Sequence, residues 1–379
     1  MKKVFRFFKK ELMLTLSLAA AAVGLLLTPM TAQRFSQIDW RTLGILLMML
    51  CVLEGFKQED VLRPLADLAC NLRRMTTLTL FLVFGVFFSS MLVTNDVSLI
   101  IFVPLTILLF RRTDREAFIL PVISMENIAA IRGSLLTPFG SPQNLFLYGQ
   151  AQVSVGRFML HMLPLCGMSA ALLVGFIFFL YRRDPHMPAV PQTDADERPA
   201  GRARQRAAYI ALFVLVLAVI VTRTKWWPAA LLIVLVGIAV TDRKLFLKVD
   251  YVLLVTFLCF FIFSSSVAGN ASVAAFLRKA VAGHEYWWAI GLSQLISNVP
   301  ATIVLYPFTE NFSGLIYGAD TAGLCSLIGS LASVINYRLY VRAYPQNGGR
   351  FIKTFTLVSW AFFAFVAIPG YFLSRWRFF

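Results

Sequence analysis

The sequence predicts an all-α polytopic membrane protein of two inverted-topology repeats, each with a re-entrant hairpin and a broken transmembrane helix. Three observations carry that prediction. The chain is 59% hydrophobic and only 14% charged over 379 residues, with a mean hydropathy of +0.74, whereas soluble domains carry about 25% charged residues. Its Lys and Arg residues fall in short loops between apolar runs, several of which reach the roughly 20 residues that span a hydrocarbon core. A polar triplet, Thr94-Asn95-Asp96, interrupts an apolar run in the first half and returns as Ser297-Asn298-Val299 in the second.

The formal charge of +16 does not indicate nucleic acid, because its placement follows the positive-inside pattern of cytoplasmic loops. The partner it implies is a lipid bilayer. Five cysteines (Cys51, Cys70, Cys166, Cys259, Cys325) are scattered with no CxxC pair and no His-Cys spacing. They read as small buried hydrophobes rather than metal ligands. Three histidines, with neither HExxH nor GxSxG, argue against an intramembrane enzyme. No filter-like motif or acidic ring points to a channel.

Taken in order, Lys2, Lys3, Lys9 and Lys10 precede a first span over residues 12–27. No A-x-A site follows it, so it reads as an uncleaved span with the N-terminus in the cytoplasm. A second span covers 43–55, introduced by Asp39-Trp40-Arg41. Residues 57–74 have the spacing of an amphipathic helix lying flat on the inner surface. A hairpin follows over about 80–110, apolar on both sides of the triplet and ended by Arg111, Arg112 and Arg115. Basic clusters before and after it want the same side of the membrane. A re-entrant turn near the midplane meets that demand, as two straight crossings also would. Non-helical backbone at such depth needs protein or a water-filled cavity around it.

Residues 118–150 form the first broken helix, interrupted by Thr137-Pro138-Phe139-Gly140-Ser141-Pro142-Gln143-Asn144. Ser141 is the expected N-cap of its second part and Pro142 the first helical residue. Residues 161–181 return to the cytoplasm, with His161 at the interface, and close the first repeat (1–182). A polar cytoplasmic loop covers 183–206. One connecting span, 207–225, then inverts the second repeat, 226–379. There, 250–264 matches the span that begins at Asp39, and 272–284 lies on the outer surface. The second hairpin occupies 287–312 and the second broken helix 319–340. A last span over 354–373 carries Trp360, with Trp376 beyond it, as interface anchors. The count comes to about 10–11 spans.

The internal repeat has a measurable register. Asn298 lies 203 positions after Asn95, and Ser90/Ser293, Pro104/Pro307 and Thr106/Thr309 share that separation. Further on, Ser134/Ser326, Ser141/Ser333, Asn144/Asn336 and Tyr148/Tyr340 pair at 192. Paired interruptions at corresponding positions of two halves point to a transporter's binding site.

A half-helix that starts inside the membrane aims free N–H groups and a positive dipole end at whatever sits there. Asn298, and either Asn95 or Asp96, are the candidate caps, with Pro300 in the first turn. The candidate binding set is Thr94, Asn95, Asp96, Ser297 and Asn298 at the tips. Thr137, Gly140, Ser141, Gln143 and Asn144 join it from the first break, and Ser330, Ser333 and Asn336 from the second. Anionic groups suit helix N-termini, whereas unwound carbonyls and Ser or Asn oxygens suit sodium. Sodium ions near Asn95 and Asn298 are therefore candidate coupling ions, and no other cofactor is called for. The competing reading is that these residues only cap kinked helices; recurrence of the two asparagines favours function. Asp96 has no acidic counterpart at Val299, so it is either a proton or sodium ligand or a cap. Glu54, Glu126, Arg132, Glu310 and Asp320 read as interfacial or structural. Glu126 and Arg132, six apart on one helix, do not face each other.

Four blocks, TNDVSLIIFVPLT, GSLLTPFGSPQNLFLY, SQLISNVPATIVL and SLIGSLASVINYRLY, resemble the ion transporter superfamily. That group holds citrate and divalent-anion sodium symporters, arsenite permeases and a class of sodium/proton antiporters, and the likeness is of the anion permease kind in both halves. It implies two inverted repeats with re-entrant hairpins and a homodimer working by an elevator-type movement. In the divalent-anion symporters both tips read Ser-Asn-Thr. Here Asn95 and Asn298 match, while Asp96 and Val299 depart, and an acid after the first asparagine is more like the arsenical and antiporter branches. The expected function is secondary active transport of a small anion, a carboxylate or inorganic oxyanion, across a bacterial inner membrane, coupled to sodium or protons. A sodium/proton antiporter or an arsenite-type efflux permease on the same fold is the alternative.

Overall fold

A computed structural model of the chain describes residues 12–29, 31–36, 38–59, 61, 68–69, 72–188 and 203–376. The basic N-terminal residues, half of 57–74 and most of the 183–206 loop lie outside the described residues, and with them the surface helix and cytoplasmic loop expected there.

The described residues form helices without a named strand; one isolated bridge pairs Arg74 with Pro188. The first helices are α1 (Leu12–Leu27), α2 (Ala32–Ser36) and α3 (Trp40–Gln58). Asp39 caps α3, its carboxylate accepting from Thr42 N at 2.9 Å. Next come α4 (Met75–Val93), α5 (Asn95–Arg112), α6 (Ile119–Ser134), α7 (Pro142–Ala151) and α8 (Val155–Leu180). Beyond the loop are α9 (Ala203–Thr222), α10 (Trp227–Asp242) and α11 (Tyr251–Ala268). Asp250 caps α11 through Leu253 N, as Asp39 caps α3. The chain continues through α12 (Ala271–Val281), α13 (Glu285–Ile296), α14 (Asn298–Leu305), α15 (Phe312–Ala322), α16 (Leu331–Ala343) and α17 (Gly348–Ser374).

Five of these helices, α4, α8, α9, α11 and α17, are long and apolar enough to cross a membrane by length and composition. The distribution of side chains fits that solvent. Leu26, Phe179, Leu232, Val240 and Leu357 face outward, while Ser17, Thr79, Ser98, Ser169 and Ser359 are buried. This arrangement is costly in water and favourable in lipid, where polar groups must find partners inside the bundle. The chain is an all-α polytopic membrane protein.

Two groups of helices pack alike. In the first, α4, α5 and α6 all touch one another; in the second, α13, α14 and α15 do the same. The groups then exchange arms: α5 and α6 pack on α16, and α14 and α15 pack on α7. Helix α3 meets α5, as α11 meets α14. This exchange brings both breaks into one interior.

The ends of the bundle are tied by polar seams. At one, Arg111 Nε donates to Tyr344 Oη at 2.8 Å and its Nη2 to Ala343 O at 3.1 Å, joining α5 to the end of α16. Tyr344 in turn donates to Glu116 at 3.1 Å. At the other, Gln150 donates to Asp39 at 3.0 Å and accepts from Tyr306 at 3.1 Å. A small cavity of about 70 Å³ opens there beside Arg41 and Tyr148.

Candidate functional site

The two tips share one unusual backbone. Thr94, between α4 and α5, has φ 73° and ψ 156°; Ser297, between α13 and α14, has φ 69° and ψ 159°. Residues other than glycine seldom adopt this region, at a cost of about 1–3 kcal/mol, and it persists where surrounding structure enforces it. The two residues are 203 positions apart, the separation read from the asparagines. Thr94 and Ser297 hold the N-cap positions, and Asn95 and Asn298 are the first helical residues. The expected capping by Asn298, Asn95 or Asp96 is thus corrected by one or two residues.

Each tip is stitched to a neighbour. Asn298 N donates to Gly329 O at 3.2 Å and its Nδ2 to Ala319 O at 3.3 Å, so the second tip rests on the second break. Thr137 of the first break donates to Met91 O on α4. Asn95 Oδ1 accepts from Asp96 N at 2.9 Å. Asp96 has a buried Oδ1 without a partner, and the charges of Lys57 and Asp250 act on it. No hydrogen bond joins Asn95 to Asn298 among the described residues.

The breaks have a common construction as well. Gly140 and Ser141 in the first correspond in form to Gly329 and Ser330 in the second. A Cβ on Gly140 would lie 2.3 Å from Ser134 O, and one on Gly329 2.5 Å from Ala322 O. The chain doubles back against the last residue of α6 in one case and of α15 in the other, which only glycine permits. Ser141 (φ −148°, ψ 150°) and Ser330 (φ −148°, ψ 139°) then start α7 and α16. This geometry pairs the breaks 189 positions apart rather than 192. Asn144 and Ser333 become the matched residues: Asn144 Nδ2 donates to Ser134 O at 3.4 Å, and Ser333 Oγ to Gly323 O at 3.5 Å. Ser141 occupies the N-cap position, but its hydroxyl makes no capping bond and is buried without a partner.

Three predicted residues serve as ties between the halves. Asn336 Nδ2 donates to Ile123 O on α6 at 2.7 Å. Ser333 accepts from Asn127 Nδ2 at 3.1 Å. Gln143 reaches the other way, from α7 to Asp320 Oδ1 on α15 at 2.9 Å.

The interior also holds charges that the sequence reading placed at interfaces or in structural pairs. Glu126, Arg132 and Asp320 are each at most 1% exposed. Glu126 accepts from Thr106 on α5. Asp320 carries the bond from Gln143, and its Oδ2 is unpartnered. All three guanidinium nitrogens of Arg132 are buried without a hydrogen bond. His161, expected at the interface, is buried inside α8 against the Tyr317 ring, centroids 4.9 Å apart. Glu54 pairs with Lys57 at 2.9 Å, and Glu310 is exposed. An isolated charge on an otherwise apolar helix was the available signal for the buried three, because such a charge costs roughly 2.5–3.5 kcal/mol at mid-membrane.

Among the described residues no group of His, Cys, Asp and Glu could hold a metal ion, and Cys51, Cys166, Cys259 and Cys325 are free thiols. What the arrangement offers is a buried set of amides, hydroxyls and helix starts from two matched breaks, with a buried arginine beside them. That is the equipment of a membrane transporter.

The comparisons place the chain among known proteins. The family described as "Citrate transporter" matches residues 5–329, and the chain belongs to it. The chain is 31% identical over 343 residues to the inner membrane protein YbiR of Escherichia coli (strain K12), covering 89% of this chain and 88% of the relative. It is 28% identical over 326 residues to the uncharacterized transporter MJ0456 of Methanocaldococcus jannaschii, covering 86% of each. The family is one of transporters, not enzymes.

Proposed function

We propose that this protein is a secondary active transporter of a small anion, a carboxylate or inorganic oxyanion, working by alternating access in the inner membrane. The observation that carries the reading is the pair of tips, Thr94-Asn95 and Ser297-Asn298, held in the same strained backbone 203 residues apart. Two helix starts then offer N–H groups and positive dipole ends to one anionic cargo. Asn144, Ser141 and Ser330 line the approach from the breaks. The repeats run over 1–182 and 226–379 in opposite senses, with 183–206 and 207–225 between them, and the N-terminus is cytoplasmic. The coupling ion is sodium or a proton, and the working unit is a homodimer.

The test is a panel of citrate, succinate, phosphate and arsenite in proteoliposomes under imposed sodium and proton gradients. Accumulation of a carboxylate or oxyanion only when a gradient is imposed is the expected result. A second reading, a sodium/proton antiporter or arsenite-type permease, is favoured by one observation, the unpartnered carboxylate oxygen of Asp96 at the first tip. Collapse of a pH gradient on adding sodium, with no anion present, would select the antiporter.

A further inference from the structure

We propose that the small cavity among α3, α7 and α9 is a binding site for a single phosphate group, held chiefly by Arg41 and flanked by Arg223. The phosphate is the phosphodiester of a lipid headgroup or free phosphate. The inference stands apart from the reading of the chain as an anion transporter.

The position argues for a ligand of its own. Tyr148, Gly149 and Gln150 line the cavity at the far end of α7. Tyr148 lies about two turns beyond Ser141, roughly 10 Å along the helix axis, so the cavity is separate from the breaks. Helix α8 begins at this end, with Phe158 edge-on to Tyr148 at 5.8 Å between centroids, and α9 finishes here. Arg182, Arg183, Arg204 and Arg206 stand at the opposite ends of those two helices. Arginines at both ends cannot all answer to the positive-inside pattern, so Arg41 and Arg223 answer to something else.

Both guanidiniums are oriented by neutral groups. Arg41 Nη2 donates to Val219 O on α9 at 3.5 Å. Arg223 Nη2 donates to Tyr148 O at 2.6 Å, and its guanidinium carbon lies 4.1 Å from the centre of the Tyr148 ring. Its Nη1 reaches Gln152 Oε1 at 3.5 Å. The Nε of each arginine is buried without a partner, and a charge so placed is costly until an anion meets it. Arg223 is also held at φ 50°, a strained backbone of the kind that clusters at ligand clamps.

The acid at the cavity is Asp39, and its carboxylate is already engaged. It accepts from Thr42 N at 2.9 Å, Thr42 Oγ1 at 2.6 Å and Gln150 Nε2 at 3.0 Å. No ion pair joins it to Arg41 among the described residues. Two guanidiniums against one carboxylate leave a single positive charge, which a phosphodiester monoanion balances. The planar fork of arginine matches a pair of phosphate oxygens. The cavity of about 70 Å³ takes about five waters at roughly 10–15 Å³ each, and a phosphate group has as many heavy atoms.

The experiment reads thermal melting of purified full-length protein in a neutral detergent. One arm adds phosphatidylglycerol, with a diacylglycerol of the same chains as its control. The other adds sodium phosphate, with sodium chloride at equal ionic strength as its control. A ligand of the folded protein, at about a hundredfold its Kd, is expected to raise the wild-type melting temperature by several degrees. A rise in the first arm assigns the site to lipid headgroups and a rise in the second to free phosphate; either supports it. R41Q and R223Q are expected to lose the rise. So is G149E, which puts an acid in the cavity and leaves both arginines in place; Thr42 Oγ1, at 3.9 Å, is the one atom near its Cβ position. K225Q, which removes an exposed charge at the same end, and N298A, in the cargo site, are expected to keep it. Each variant is compared with its own ligand-free state, so a change in basal stability does not mimic the result. No rise in either arm, or a rise kept by R41Q, R223Q and G149E, overturns the inference and leaves the anion reading standing. A rise lost in N298A instead puts the phosphate in the cargo site, which overturns this inference and supports the anion reading.

Discussion

Replacing Asn95 or Asn298 by alanine is expected to abolish anion transport while leaving the protein folded. The structural cost of each change is small. Asn298→Ala removes one side-chain bond, from Nδ2 to Ala319 O, and a neutral hydrogen bond contributes about 1 kcal/mol net. The bond from Asn298 N to Gly329 O belongs to the backbone and survives. Asn95→Ala removes one acceptor, that for its neighbour's N–H. Binding of a charged cargo is more exposed to the loss: a hydrogen bond to a charged group is worth about 1.5–3 kcal/mol, roughly ten- to a hundredfold in affinity. Thr94→Gly and Ser297→Gly serve as controls, since glycine accepts the tip backbone without strain. They should melt no lower than the wild type, which tests the strain of the tip backbone apart from transport. Uptake in proteoliposomes, with melting temperature beside it, checks the series; normal uptake by both alanine variants rejects the tips as the site.

Gly133→Ala is expected to prevent assembly of the first group of helices. A Cβ at this position would lie 1.9 Å from Phe87 O and 2.5 Å from Ser90 Oγ. The first contact is with backbone, so no rotamer change relieves it, and α6 must move away from α4. Overpacking a well-packed interior costs about 1–3 kcal/mol and sometimes more; contact with a carbonyl at this distance belongs at the upper end. Gly318→Ala meets Tyr286 O at 2.5 Å and is expected to be milder. Gly175 in α8 has nothing within 4 Å of its Cβ position, so Gly175→Ala should match the wild type. Yield of monodisperse protein and melting temperature in detergent give the order. Equal behaviour of G133A and G175A would contradict the packing of α4 on α6.

The tips were legible because a polar triplet in an apolar run has few bland explanations, and because Asn95 and Asn298 repeat at a fixed distance. The register of the breaks was not. Ser330, Ser333 and Asn336 recur every three residues, so Ser141 and Asn144 can be laid on either neighbouring pair. What resolves it is the doubling back at Gly140 and Gly329, a feature of backbone shape. Arg132 and Asp320 were visible as charges, but their burial depends on which helices cover them. Helix α14, too short to span by the usual count, was readable only as the second limb of the hairpin over 287–312.

The central claim is that the two tips and the two breaks enclose one cargo site reached from each side of the membrane in turn. Its most direct test is labelling of S141C and S330C, in a background without the five native cysteines, by a membrane-impermeant maleimide applied to either side. The account predicts that both cysteines react from each side and that the transported anion protects both. Transport with no protection of either cysteine would contradict it.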